Sequence, residues 1–142
     1  MKLGEFKQYV VASPGYLQQA ETLATPSDLP RHDWVALTLL PTPLTWTFGS
    51  GEGGEQTVYL KARMKTDSAS SLRSLVRHGA GFTVLDEFSA QPDLASGRLV
   101  RVLENRRPPC GGLYAVFPPG RHVSAKTQAF IRFYQAHLQN QR

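Results

Sequence analysis

The residue types best suited to acid–base or metal chemistry near neutral pH are the histidines, and His32, His78, His122 and His137 stand far apart with no metal-ligand spacing between them. The single cysteine, Cys110, lies between Pro109 and Gly111, a loop position where a lone thiol is more often inert than reactive. One cysteine also excludes an internal disulfide framework and supports no metal cluster. Ser13, in Ala-Ser-Pro-Gly, is not a nucleophile elbow, which has glycine two residues before the serine as well as two after. Gly79 and Gly81 follow a helix-type stretch rather than a strand, the reverse of the dinucleotide-binding order, and read as a helix stop and a tight lead into a strand. No arrangement of nucleophile, base and acid is visible. The expectation is a protein that is not an enzyme and holds no cofactor and no metal.

The chain has 142 residues, the size of one domain, with 41% hydrophobic and 19% charged residues, a composition that folds around a core. Its longest apolar runs are far shorter than the roughly 20 residues of a membrane helix. The first residues, MKLGEFKQYVV, lack the apolar segment and small-residue cleavage site of a signal peptide, so no membrane association is expected and the cytoplasm is the expected location. The net charge of +5, from 16 Lys and Arg against 11 Asp and Glu, raises nucleic acid as a partner. The basic residues are dispersed, however. Lys61, Arg63 and Lys65 alternate as on the wet face of a strand.

The elements that would position any site follow from pattern. QYVVA is an apolar strand turned by Pro14 and Gly15 into a short helix, and residues 34–40 form a second apolar strand. A short strand at 45–48 and an alternating one at 57–64 flank the Gly-rich tip GSGEGGEQ, which reads as a hairpin loop. TDSASSLRSLVRHGAG is a helix that Thr66, Asp67 or Ser68 can cap, with Leu72, Leu75 and Val76 on one face and Gly79 as its stop. FTVL is a buried strand, DEFSAQPDLASG a short irregular helical segment, and RLVRVL and residues 113–117 are further strands. Ser124 caps a last helix bearing Phe130, Phe133, Tyr134 and Leu138 at helical spacing. Strands alternating with helices predict an α/β fold: a mixed sheet with flanking helices.

In that order, VVASPGYL, TPSDLPRHDWVAL, WTF, GAGFTVL, ASGRLVRVL and LYAVFPPGRHVSAKTQAFIRFY resemble the effector-binding domain of LysR-type transcriptional regulators over residues 9–138. The resemblance implies a periplasmic-binding-protein-like (type 2) fold of two lobes joined by crossing strands. Residues 8–14 would be the first crossing strand and 111–119 the second, paired antiparallel. Residues 15–110 would be the second lobe, and the helix at 124–139 would return to the first. The N-terminal winged helix-turn-helix of such regulators, and most of the first lobe, have no counterpart here, since 12 residues before Ser13 cannot hold one. The chain therefore reads as a single partial effector-binding domain, a truncated remnant or a fragment that does not itself read an operator.

What the resemblance implies about function is a small organic effector, acidic or aromatic, held between the lobes. The loop after the first strand of the second lobe would contribute Thr38, Leu39 and Leu40. The helix start would contribute Thr66, Asp67 and Ser68, where free N–H groups favour an anion and the Asp67 carboxylate disfavours one. Asp67 as a plain helix cap is the simpler reading. Ser13 would face the cleft floor or bond its own turn. Asp86 stands where the family often has proline, which leaves the local turn open. Phe130, Phe133 and Tyr134 would lack their usual cover and form the interface of a homodimer, since a large exposed apolar face is rare on a monomer. The alternative is an interaction module that pairs with itself or with full-length regulators.

Overall fold

The computed structural model describes residues 1–50, 54–116 and 124–140. The chain divides into two compact units, Lys7–Pro109 and a smaller one made of Met1–Phe6 with Cys110–Arg142.

In the larger unit, β2 (Gln8–Ala12) leads through α1 (Pro14–Gln19) and a 3-10 turn (Pro26–Arg31) into β3 (Trp34–Leu37). A hairpin of β4 (Thr45–Ser50) and β5 (Gly54–Tyr59) follows, then β6 (Ala62–Thr66), α2 (Ala69–Arg77), β7 (Thr83–Asp86), α3 (Glu87–Ser96) and β8 (Val100–Val102). Strand β3 pairs parallel with β6, while β2 pairs antiparallel with both β7 and β8. The two groups join where the Val35 amide donates to the Phe82 carbonyl at 3.0 Å and the Phe82 amide to the Asp33 carbonyl at 2.9 Å. The resulting order is β6-β3-β7-β2-β8, a mixed sheet in which β2 runs against the rest.

Both faces of this sheet are covered, which is why its central strands are continuous apolar runs rather than alternating ones. On one face Val10, Ala12, Trp34, Ala36, Phe82 and Val84 pack with Leu29 of the 3-10 turn and with Trp46, Phe48 and Val58 of the hairpin. On the other, Val11, Val35 and Leu85 pack with Leu72 and Val76 of α2 and Ala90 of α3. Gly81 lets β7 start against β3. A Cβ there would lie 2.4 Å from the Asp33 carbonyl oxygen, at a φ of +148°.

The smaller unit holds β1 (Lys2–Phe6), β9 (Gly111–Tyr114) and α4 (Ala125–Asn140). Strands β1 and β9 pair antiparallel, from Lys2 opposite Tyr114 to Phe6 opposite Gly111. Gly111 carries the Phe6 ring, which lies 2.0 Å from where a Cβ would sit. Helix α4 begins with the Ser124 hydroxyl accepting the Thr127 amide at 3.2 Å. It packs on β1 through buried Ile131, and Gln135 Nε2 donates to the Lys2 carbonyl at 3.2 Å.

Several expectations need correction. Among the described residues, the strand within 8–14 does not pair with the one within 111–119. Its partners are β7 and β8, because Val10, Val11 and Ala12 send side chains into both cores and need a strand on either side. The partner of β9 is β1, five residues (KLGEF) whose charges and glycine give little strand signal. The strand expected at 57–64 is divided, with β5 paired to β4 and β6 paired to β3. Between them Leu60 is buried and its amide donates to the Leu44 carbonyl at 2.8 Å. The run 34–40 leaves the sheet after Leu37. The segment expected to be irregular is the regular helix α3. Residues 117–119 of the expected second crossing strand, and the tip at 51–53, lie outside the described residues.

Candidate functional site

The parallel pair β3 and β6 ends at one level, with Leu37 opposite Thr66. Immediately beyond, the Thr38 amide donates to the Thr66 carbonyl at 2.9 Å and the Thr38 hydroxyl to the same oxygen at 3.3 Å. The Thr66 hydroxyl accepts the Ser68 amide at 3.2 Å, and the Ser68 hydroxyl accepts the Ser71 amide at 3.3 Å. Three hydroxyl side chains thus follow one another across the carboxyl ends of two parallel strands and the start of α2. In open α/β sheets that end of the strands is where ligands are held.

Ser68 is the N-cap of α2, with an extended backbone at φ −118° and ψ 124°. Asp67 is therefore not the cap, as the simpler reading had it. Its side chain is exposed, and the shorter Ser68 hydroxyl does the capping. In the turn after β3, Leu40 packs against the hairpin side of the core, whereas Leu39 is 69% exposed. The same end of the sheet receives and releases the chain. The Lys7 amide donates to Glu87 Oε1 at 3.0 Å, and Gln8 Nε2 donates to the Pro109 carbonyl at 2.7 Å. Asp86 settles the turn after β7 by capping α3, its carboxylate accepting the Ser89 amide at 3.0 Å.

Ser13 is not brought to this group. Because β2 runs against its neighbours, its end lies level with the start of β7, at the opposite edge of the sheet from Thr38 and Thr66. There it caps α1, accepting the Tyr16 amide at 3.1 Å. It borders a cavity of about 650 Å³ whose lining includes Tyr16, Arg77, His78, Gly79 and Arg98. Sequence reasoning passed over this group, since residues 13, 77–79 and 98 meet only in the fold. The available signal was Asp93, an acid inside α3 that is buried and bonded to Arg98 Nε at 2.9 Å. Tyr16 also closes one side of the core. Its ring packs edge-on against Phe82 and its phenol oxygen accepts the Asp33 amide at 3.0 Å. Burial raises the phenol pKa, and the Asp33 bond works the other way.

Phe130 and Phe133 of α4 are 65% and 71% exposed, and Tyr134, less open, stacks on Phe130. Cys110 is exposed. Among the described residues no cluster of His, Cys, Asp and Glu could hold a metal ion, and no helix is long and apolar enough to cross a membrane.

The larger unit's mixed sheet, covered on both faces and threaded by one reversed strand, is that of a periplasmic-binding-protein-like (type 2) regulatory domain. Residues 1–139 match the LysR substrate binding domain, and the chain belongs to that family. It is 39% identical over 137 residues to the HTH-type transcriptional regulator PtxR of Pseudomonas aeruginosa, covering 96% of this chain and 44% of that protein. It is 30% identical over 130 residues to the probable HTH-type transcriptional regulator LtrA of Klebsiella pneumoniae, covering 89% of this chain and 42% of that one. The full-length structure of the Vibrio cholerae virulence activator AphB is similar with a TM-score of 0.79 at 25% identity, over 96% of this chain and 46% of that one. The chain thus spans less than half the length of these regulators.

Proposed function

We propose that this chain is the effector-sensing part of a LysR-type transcriptional regulator, binding a small organic effector, acidic or aromatic, without catalysing a reaction. The observation that carries the reading is the run of hydroxyls Thr38, Thr66 and Ser68 at the carboxyl ends of β3 and β6, beside the start of α2. Hydroxyls and helix-start amides offer hydrogen bonds to a carboxylate, and Leu39 and Leu40 offer apolar surface to the rest of the molecule. The reading is supported by the relatives it matches, which are transcriptional regulators, and it includes a cytoplasmic location with operator reading left to other residues.

Thermal unfolding against a panel of small aliphatic and aromatic carboxylates tests the reading. A specific effector raises the midpoint with concentration, adding about 2.7 kcal/mol at a hundred times Kd. A panel that leaves the midpoint unmoved opposes it.

The exposed ring pair on α4 favours a second, compatible reading, self-association as a homodimer with Phe130, Phe133 and Tyr134 at the interface. In that case the region also acts as an interaction module, and its oligomeric state in solution decides the matter.

A further inference from the structure

We propose that the cavity at the Ser13 edge of the sheet is a second binding site, for a small oxyanion carried by an organic acid or a phosphate. It is separate from the effector site proposed above and does not depend on it. Arg77, His78 and Arg98 converge on this cavity of about 650 Å³, and no carboxylate lines it among the described residues. That volume suits a small organic ligand.

The positive charge there is only partly answered. Buried Asp93 serves both guanidiniums with the same oxygen, Oδ1, 2.9 Å from Arg98 Nε and 3.6 Å from Arg77 Nη1. One carboxylate between two guanidiniums leaves a surplus positive charge facing the cavity. Two donors also lack acceptors. Arg77 Nε is buried with no hydrogen-bond partner among the described residues. Ser13 is 4% exposed, and its oxygen already accepts the Tyr16 amide, so its own proton remains to be donated. No acceptor for that proton is found among the described residues, although a buried polar group is ordinarily satisfied.

Gly79 keeps the floor open. Its φ of +89° disfavours a side chain, and a Cβ there would stand 3.7 Å from the Ser13 hydroxyl. His78 Nδ1 is engaged by the Ser74 carbonyl at 2.7 Å, which fixes the ring at the cavity rim. An oxyanion here would accept from Ser13 and the guanidiniums together, the fork geometry at which arginine excels.

Amide-resolved NMR of the chain, titrated at constant ionic strength with inorganic phosphate, with benzoate, and with chloride as control, tests the site. We expect saturable shifts at Ser13, Tyr16 and Gly79 with phosphate or benzoate, and the stronger of the two names the ligand class. Arg98→Gln should weaken that binding roughly fivefold, the loss of one exposed charge-assisted contact, whereas Arg98→Lys should retain most of it. Shifts that match chloride, saturable shifts found only at Thr38, Thr66 and Ser68, or affinity unchanged in Arg98→Gln would each overturn the proposal. The titration of the unsubstituted chain stands whether or not a variant folds, and shifts at the two edges of the sheet report the two sites separately.

Discussion

The Thr38 amide donates to the Thr66 carbonyl at 2.9 Å, one step beyond the last paired rung of β3 and β6. This bond clamps two loop starts that are far apart in sequence and ties Thr38 to the turn that leads from Thr66 into α2. The Thr38 hydroxyl adds a longer bond to the same oxygen, 3.3 Å, so it can turn to a ligand while the backbone clamp holds. Thr38→Val keeps the shape and removes the hydroxyl. We expect a stability loss in urea of less than about 1 kcal/mol. Effector affinity should fall roughly tenfold, the weight of one polar contact. A variant that binds as well as the parent would remove Thr38 from the site.

Gly81 and Asp33 approach so closely that no side chain fits between them. Gly81→Ala would push a Cβ to 2.4 Å from a backbone oxygen that cannot swing away, at a φ of +148°. We expect a loss of at least ~3 kcal/mol in chemical denaturation. Gly15→Ala, where nothing lies within 4 Å, should stay within about 0.5 kcal/mol of the parent. Equal effects of the two substitutions would contradict the packing described.

The 3-10 turn that carries Leu29 into the core is held by Asp28. Its carboxylate accepts the amides of Thr25 and Ala24, each at 3.0 Å, and these bonds, in that order, lower its pKa. The folded value lies below the unfolded one. The stabilisation is therefore present above the unfolded pKa and is lost as pH falls through the folded one. Between pH 7 and about 3, urea stability should decline below about pH 4. The decline should be shallower in Asp28→Asn. Parallel curves for the two proteins would show that this carboxylate does not carry the dependence.

Phe130 and Phe133 project from α4 while Ile131 packs inward, so polar substitution of the two rings leaves the packed face intact. If these rings form the homodimer interface, Phe130→Ser with Phe133→Ser should convert a dimer to a monomer in light scattering across concentrations. The midpoint of a dilute sample should hardly move. A dimer that survives both substitutions would assign the interface elsewhere.

Much of the larger unit was legible because its signals are local. The runs through Trp34 and Thr83 are apolar on both sides, as strands buried on two faces must be, and Ser68 is one of the three residues that could cap its helix. What escaped is what depends on distant partners. The β1 strand acquires its character from residues 111–114, on the far side of the larger unit in sequence. The break at Leu60 interrupts no hydrophobic pattern, since both flanking strands are extended and only their pairing differs. Thr38, Thr66 and Ser68 were reached through resemblance, and the fold gathers them. Ser13 was grouped with them, but a strand that runs against its neighbours delivers its end to the opposite edge of the sheet.

The most direct measurement is to titrate the chain with a panel of small aliphatic and aromatic carboxylates while following each backbone amide by NMR. At least one compound should shift the amides of residues 38–40 and 66–68 saturably, and Thr38→Val should raise its Kd roughly tenfold. A panel without saturable shifts at these residues, or with binding indifferent to Thr38, would contradict the assignment of this strand end as the effector site.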